Sequence, residues 1–226
     1  MTMTAFVLAA LSLREVSRRR AVLILVISLP LWFYLVRRDL PGQSSRMLAI
    51  GIGWAVSTLT LFVVSAGRSI DLRLRLTGAS VADIIGGQLL AMTGAGLALG
   101  LSYWALVSVD QDLRRPWAIG PMMLLTALAA APFGSLIAAL LPRELEGALA
   151  LLTVCAVQML ANPGSLIAKL MPFWSARELG AYAVDGASTD FLWRALLHAA
   201  VTWLLCTGGT LAVFAWRLRL ARYSEP

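Results

Sequence analysis

From Ile84 to Val109 the sequence carries no charged residue. As a helix rising 1.5 Å per residue, such a run is about 39 Å long, more than the roughly 30 Å of a bilayer's hydrocarbon core. A soluble fold could not hide it. With 59% hydrophobic and 14% charged residues over 226 positions, the chain lacks the polar surface to cover its own core. Lipid is the solvent such a chain requires, and lipid admits only structures that satisfy every backbone polar group internally. For apolar runs of this length that means helices, so the expected class is an all-α integral membrane protein.

Six segments qualify as spans: 21–36, short but bracketed by Arg; 47–66; 81–109; 117–141, with Pro121 and Pro132 as expected kinks; 147–171; and 191–216. An even number returns both termini to one side. Arg14, Arg18, Arg19 and Arg20, with Arg217, Arg219 and Arg222, mark that side as cytoplasmic. Trp32, Trp54, Trp104, Trp117, Trp174 and Trp193 are expected as a belt at the opposite interface. In residues 1–20 the basic residues follow the apolar run, the reverse of a secretory leader. Phe6, Ala9, Leu13 and Val16 recur there at helical spacing, which predicts an interfacial helix on the inner leaflet. The fifth span is interrupted by Asn162-Pro163-Gly164. It either continues past a kink or ends, with short outer-side helices following within 165–190.

Between the second and third spans lies a basic island, "RSIDLRLRLTGASVAD", residues 68–83. Its alternation of charge and leucine has a strand's period, but a lone strand at a membrane surface has no ladder partner. A short cytoplasmic helix within 67–80 is expected instead, with Asp71 and Arg75 as an i,i+4 ion pair. Ile70 and Leu74 would share one face, Leu72 and Leu76 nearly the opposite one. Gly78 suits the left-handed residue that ends a helix. Ser80 and Asp83 match a capping box that opens the third span.

The chain's omissions narrow its function. Its single lysine, Lys169, stands far from any glycine-rich phosphate loop, so no GxxxxGK[ST] nucleotide site is present. No Asp or Glu falls in the middle of a span, where an ion-coupled transporter keeps its ionisable groups. Any active transport would then draw its energy from a separate subunit. His198, the only histidine, reads as a hydrogen-bonded bundle residue, and Ser135 lacks the setting of a nucleophile. Cys155 and Cys206 sit in apolar runs and form no disulfide or metal motif. The net charge of +7 sits at span ends without interleaved stacking aromatics, which argues against nucleic acid. No catalytic residue, metal site or cofactor is expected in this chain. Gly96 and Gly100 predict close helix packing. Trp54, Ser57, Thr58 and Thr60 on the second span, with Gln158 and Asn162 on the fifth, are the candidates for lining a substrate path.

The arrangement as a whole resembles the membrane subunit of type-2 ABC exporters. The likeness covers the chain in order: interfacial helix, six spans, a cytoplasmic helix between spans 2 and 3, and a broken region between spans 5 and 6. "LRLTGASVADIIGGQLLAM", residues 74–92, is similar to the family's segment leading into the third span. The resemblance implies that the island is a coupling helix seated on a separate ATPase subunit, which would hold ATP and Mg. By position, Asp71, Arg73, Leu74, Arg75, Leu76 and Thr77 would contact it, joined by Glu15 and Arg18 from the interfacial helix. It further implies a second copy or a paralogous permease as partner, with span 1 of one near span 5 of the other. The chain's lack of a large outer domain suits export of a drug, antibiotic, lipid or similar compound from a bacterial cell membrane. A haem-exporter-type subunit, a substrate-binding module for uptake, and a non-transporting scaffold or immunity protein are the alternatives.

Overall fold

The computed structural model describes residues 3–18, 20–76, 78–162 and 164–220. Arg19, Thr77, Pro163 and Arg222 lie outside the described residues. Among the described residues every regular element is helical: α1 (Met3–Arg18), α2 (Arg20–Leu35), α3 (Pro41–Leu76), α4 (Val81–Asp110), α5 (Pro116–Leu140), α6 (Glu144–Leu160), α7 (Leu166–Leu170), α8 (Trp174–Gly180) and α9 (Thr189–Leu220). A short π-helical turn, Ala181–Asp185, follows α8. Four helices are long and apolar enough to cross a membrane, over Gly42–Arg68, Val81–Asp110, Pro116–Leu140 and Thr189–Arg217.

Two of the six expected spans fall short. α2 has 16 residues and α6 has 17, so at 1.5 Å per residue each covers about 25 Å. The expected fifth span does not continue to residue 171. α6 stops at Leu160 because Ala161 turns extended, and the chain then forms the separate short helices α7 and α8. α5, by contrast, runs through both Pro121 and Pro132.

The chain reverses at every long helix, which collects its loops at two ends. At one end, Arg38 bonds Asp110, and Arg115 reaches the carbonyls of Tyr182 and Ala187, joining three loops. At the other, Arg68 meets the residues after α5, near the start of α6 and Arg217. We call these the tryptophan end and the arginine end. Trp32, Trp117 and Trp193 are exposed near the first, and Trp104 donates to the Pro116 carbonyl there. Trp54 and Trp174 depart from the expected belt: both are partly buried, with indole N–H groups turned into the protein.

The core lies between α3 and α5, whose apolar windows are each 67% buried, against 17% for α9. Small residues let them approach. Ser57 donates to the Ala130 carbonyl at 3.0 Å, and a Cβ on Gly134 would sit 2.1 Å from the Ser57 carbonyl oxygen. Gly96 of α4 opposes Val56 of α3 and Ala127 of α5 in similarly close contact, as its spacing with Gly100 predicts. α1 packs its Ala5–Ala9 stretch on Gly87 of α4, where an added Cβ would meet the Ala5 carbonyl at 2.8 Å. Ala5, Ala9 and Val16 face inward, whereas Phe6 and Leu13 face outward. The apolar stripe expected from spacing is therefore split between protein and surroundings.

Gly134→Ala places a methyl group into backbone, so it should destabilise the protein by about 1–3 kcal/mol, as overpacking does. Gly94→Ala, where a Cβ meets nothing within 4 Å, should be neutral or stabilise by up to about 1 kcal/mol through helix propensity. Thermal melting of the two variants in one detergent checks the contrast.

Candidate functional site

The basic island is the end of α3 itself. No independent helix forms over 67–80, because nothing between Pro41 and Leu76 breaks the hydrogen-bond ladder, and Gly67 is accommodated by packing. The helix passes Arg68, the limit of its apolar window, and runs on to Leu76, a projection of about 12 Å. It closes where Gly78 adopts φ +97°. Gly78 N–H bonds the Arg75 carbonyl and Ala79 N–H the Leu74 carbonyl, each at 3.1 Å, which is the paired closure of a Schellman motif. Ser80 then caps α4 through the Asp83 N–H at 3.0 Å, while its hydroxyl meets the Asp83 carboxylate at 2.5 Å.

Among the described side chains the projection exposes a single arc, and Leu72, expected on the second face, lies outside them. Ile70, Arg73 and Leu76 are exposed on one arc, and Asp71 is only 4% exposed on the opposite side. Asp71 is therefore unavailable to a docking partner, and it is not paired with Arg75. Arg75 reaches the Ala79 carbonyl at 3.5 Å instead, and Arg68 is the cation acting on Asp71. Leu74 and Arg75 are half-buried, and Glu15 and Arg18 are exposed at the end of α1. Glu15 faces Glu144 across a hollow of about 260 Å³ floored by Leu59, Phe62 and Val63.

Arg68 fixes the projection to the bundle. One guanidinium donates to the carbonyls of Ala138, Leu141 (2.7 Å) and Pro142 (2.5 Å), the groups left over where α5 ends. Charge-assisted bonds contribute roughly 1.5–3 kcal/mol each, and the cation also suits the negative end of the helix dipole. Beside it, Asp71 and Gln88 converge on Gly67: a Cβ there would lie 2.8 Å from Gln88 Nε2 and 3.5 Å from Asp71 Oδ1. Asp71 Oδ2 and Gln88 Oε1 have no hydrogen-bond partner. Burial pushes the Asp71 carboxyl up to about 6, with Arg68 pulling the other way.

The expected substrate-path residues do not come together. Ser57 and Thr60 are fully buried, Ser57 bonded to α5 and Thr60 to the Val56 carbonyl of its own helix. Ser57 serves the α3–α5 contact, and Thr60 satisfies its hydroxyl within α3. Thr58 is half-buried with a hydroxyl lacking a partner, and the Asn162 side chain accepts from Gly164 N–H in a turn. Gln158 does reach a cavity, where its Oε1 accepts the Phe173 N–H at 3.2 Å and ties α8 to α6.

That cavity, about 420 Å³ at the tryptophan end, was not foreseen in the sequence. It opens between the start of α3, the end of α6 and the helices after it, and its walls include Arg46, Arg177, Glu178 and Asp185. Arg46 bonds Asp185 at 2.5 Å, and Arg177 donates to the Ala161 carbonyl at 3.3 Å, where α6 ends. His198 stands nearby in the role expected of it, 3.1 Å from the Lys169 carbonyl and edge-on to Trp174. Residues 139 positions apart meet at Arg46 and Asp185, and no local pattern encodes such a contact. Among the described residues no group of His, Cys, Asp and Glu could hold a metal ion. No protein-family model matches the chain, and no curated protein matches it.

Asp71 gives a pH signature. Its folded value lies above the ordinary 3.8, so its favourable contribution is complete below that value and is lost as pH rises through about 6. The protein should melt at a higher temperature at pH 5 than at pH 7.5. Asp71→Asn should flatten that difference and stabilise at neutral pH by on the order of 2 kcal/mol. Melting curves of both proteins across that range provide the check.

Proposed function

We propose that this chain is the permease subunit of an ATP-driven exporter of the type-2 ABC class, moving an amphipathic or hydrophobic compound across a bacterial cell membrane. In this reading α2 and α6 complete six passes, both termini lie in the cytoplasm, and the arginine end faces the ATPase. The observation that carries the proposal is the projection of α3. A span needs no continuation of about 12 Å beyond its apolar window, closed by its own Gly78 motif and presenting Ile70, Arg73 and Leu76 on one face. A groove on a separate protein supplies the reason. Arg68 supplies the means, because a push on the projection reaches the end of α5 through a single side chain.

Two further features support the reading. The chain holds no nucleotide loop, so the energy source is a partner. The flanks of α2 (Ile24, Leu25, Ile27) and α6 (Leu145, Leu149, Leu152) are apolar and exposed, as a second permease copy packed span 1 to span 5 requires. The coupling contacts are narrowed to Arg73 and Leu76, with Ile70 beside them and Glu15 and Arg18 on α1. Asp71 serves the interior.

Arg73→Glu combined with Leu76→Glu should abolish substrate-stimulated ATP hydrolysis by the reconstituted complex, while membrane insertion and melting temperature stay unchanged. Stimulated turnover at the unmodified rate in a correctly inserted double variant would remove the coupling role of the projection.

A further inference from the structure

The cavity at the tryptophan end has a composition that neither packing nor coupling explains. Its volume of about 420 Å³ lies within the range of small-ligand sites. Arg46 and Arg177 both line it, and Lys169 and Arg194 lie close enough to act on the Glu178 carboxylate. Two cations and two carboxylates thus line the cavity, Asp185 is already occupied by Arg46, and two further cations act on Glu178 from outside the lining. Donors are in excess as well. Among the described residues Arg46 Nε and Trp174 Nε1 have no hydrogen-bond partner, and Arg177 donates to the Ala161 carbonyl. A partly open cavity with cations and unused donors in its walls is matched by a ligand rich in anionic acceptors.

Glu178 refines the ligand. It is 8% exposed, lines the same cavity, and its Oε2 has no partner. A bare anion would be repelled by it, whereas an anion carrying a neighbouring O–H or N–H would donate to it. One wall of the cavity is apolar and leads outward. Met159 and Ala168 belong to its lining, and beyond them Leu160, Leu166, Ile167 and Leu170 are exposed large apolar side chains. A head group in the cavity would leave its tail along that flank.

We infer that this cavity binds the head of a membrane amphiphile whose phosphate sits between Arg46 and Arg177 and whose adjacent hydroxyl or amine donates to Glu178. Phosphoglycerol is the head group that fits, being anionic and bearing hydroxyls beside the phosphate. The inference stands on the tryptophan end alone and holds whether or not the chain drives export.

The test uses the delipidated full chain in detergent, titrated with short-chain phosphatidylglycerol and followed by native mass spectrometry. Phosphatidylcholine of the same tails, phosphatidylmethanol (the same charge without a hydroxyl) and glycerol 3-phosphate (the head without a tail) serve as comparisons. One phosphatidylglycerol should bind per chain, about tenfold tighter than either lipid comparison, a difference of about 1.4 kcal/mol. Glycerol 3-phosphate should compete only weakly. Arg177→Gln, with its melting temperature verified, should erase the preference over phosphatidylcholine. Glu178→Gln should bring phosphatidylmethanol up to the affinity of phosphatidylglycerol. Equal binding of the three lipids by the unmodified chain would overturn the site. Equal competition by glycerol 3-phosphate would overturn its assignment to an amphiphile. Unchanged lipid discrimination in Glu178→Gln would overturn the role of Glu178.

Discussion

Where a helix ends inside or beside a bilayer, its last carbonyls have no water to turn to, and the cost of leaving each unpaired is several kcal/mol. This fold answers that constraint with arginine. Arg68 closes the end of α5, Arg177 reaches the end of α6, and Arg115 takes the Tyr182 and Ala187 carbonyls beside the π-helical turn. Arg115 also stacks over the Tyr182 ring at 4.1 Å, so its charge is covered on one face. A guanidinium suits the task because it stays charged and offers several donors in one plane. A lysine could not serve three carbonyls in fixed directions, and the chain contains only one. The arginine-rich composition thus has a structural cause at the helix ends.

These closures decide which parts of the molecule are rigid. α3 and α5 meet through Ser57, Ala130 and Gly134 without room for a side chain, and Arg68 joins their ends. A displacement of the α3 projection must therefore carry α5 with it. The region after α6 is built differently. Short helices are held by Gln158, Arg177 and His198 onto backbone groups, and Phe173 is wedged edge-on against Phe133 at 5.9 Å. These bonds supplement a packed base, since Phe173, Ala176, Leu179 and Ala183 are buried in the core.

The four long apolar helices were legible in the sequence because charge-free runs are local properties. The Gly78 closure and the Ser80 cap of α4 were legible for the same reason: a left-handed residue and an N-cap depend only on neighbours within five positions. What failed was non-local. The i,i+4 spacing suggested an Asp71–Arg75 pair, but Asp71 turns inward because Arg68 and Gln88 lie there, and Gln88 belongs to another helix. Ser57 and Thr60 read as path-lining hydroxyls, yet both are fully buried, Ser57 against α5. The cavity of Arg46, Arg177, Glu178 and Asp185 depends on a contact between the start of α3 and the turn after α8. Each residue alone resembles an ordinary interfacial charge. Of the two courses open to the fifth span, the structure takes the second: α6 ends at Leu160 and the short helices α7 and α8 follow, although apolar composition persists beyond Asn162.

The central claim is that the exposed arc of the α3 projection docks on an energy-supplying subunit. Its most direct measurement is a site-specific photo-crosslink from position 73 in the native membrane, followed by identification of the captured protein. The account predicts a single major adduct with an ATPase subunit in fixed stoichiometry, and no adduct with it from position 197 on the exposed face of α9. Capture of lipid alone at position 73, in cells where the chain is folded and inserted, would contradict it.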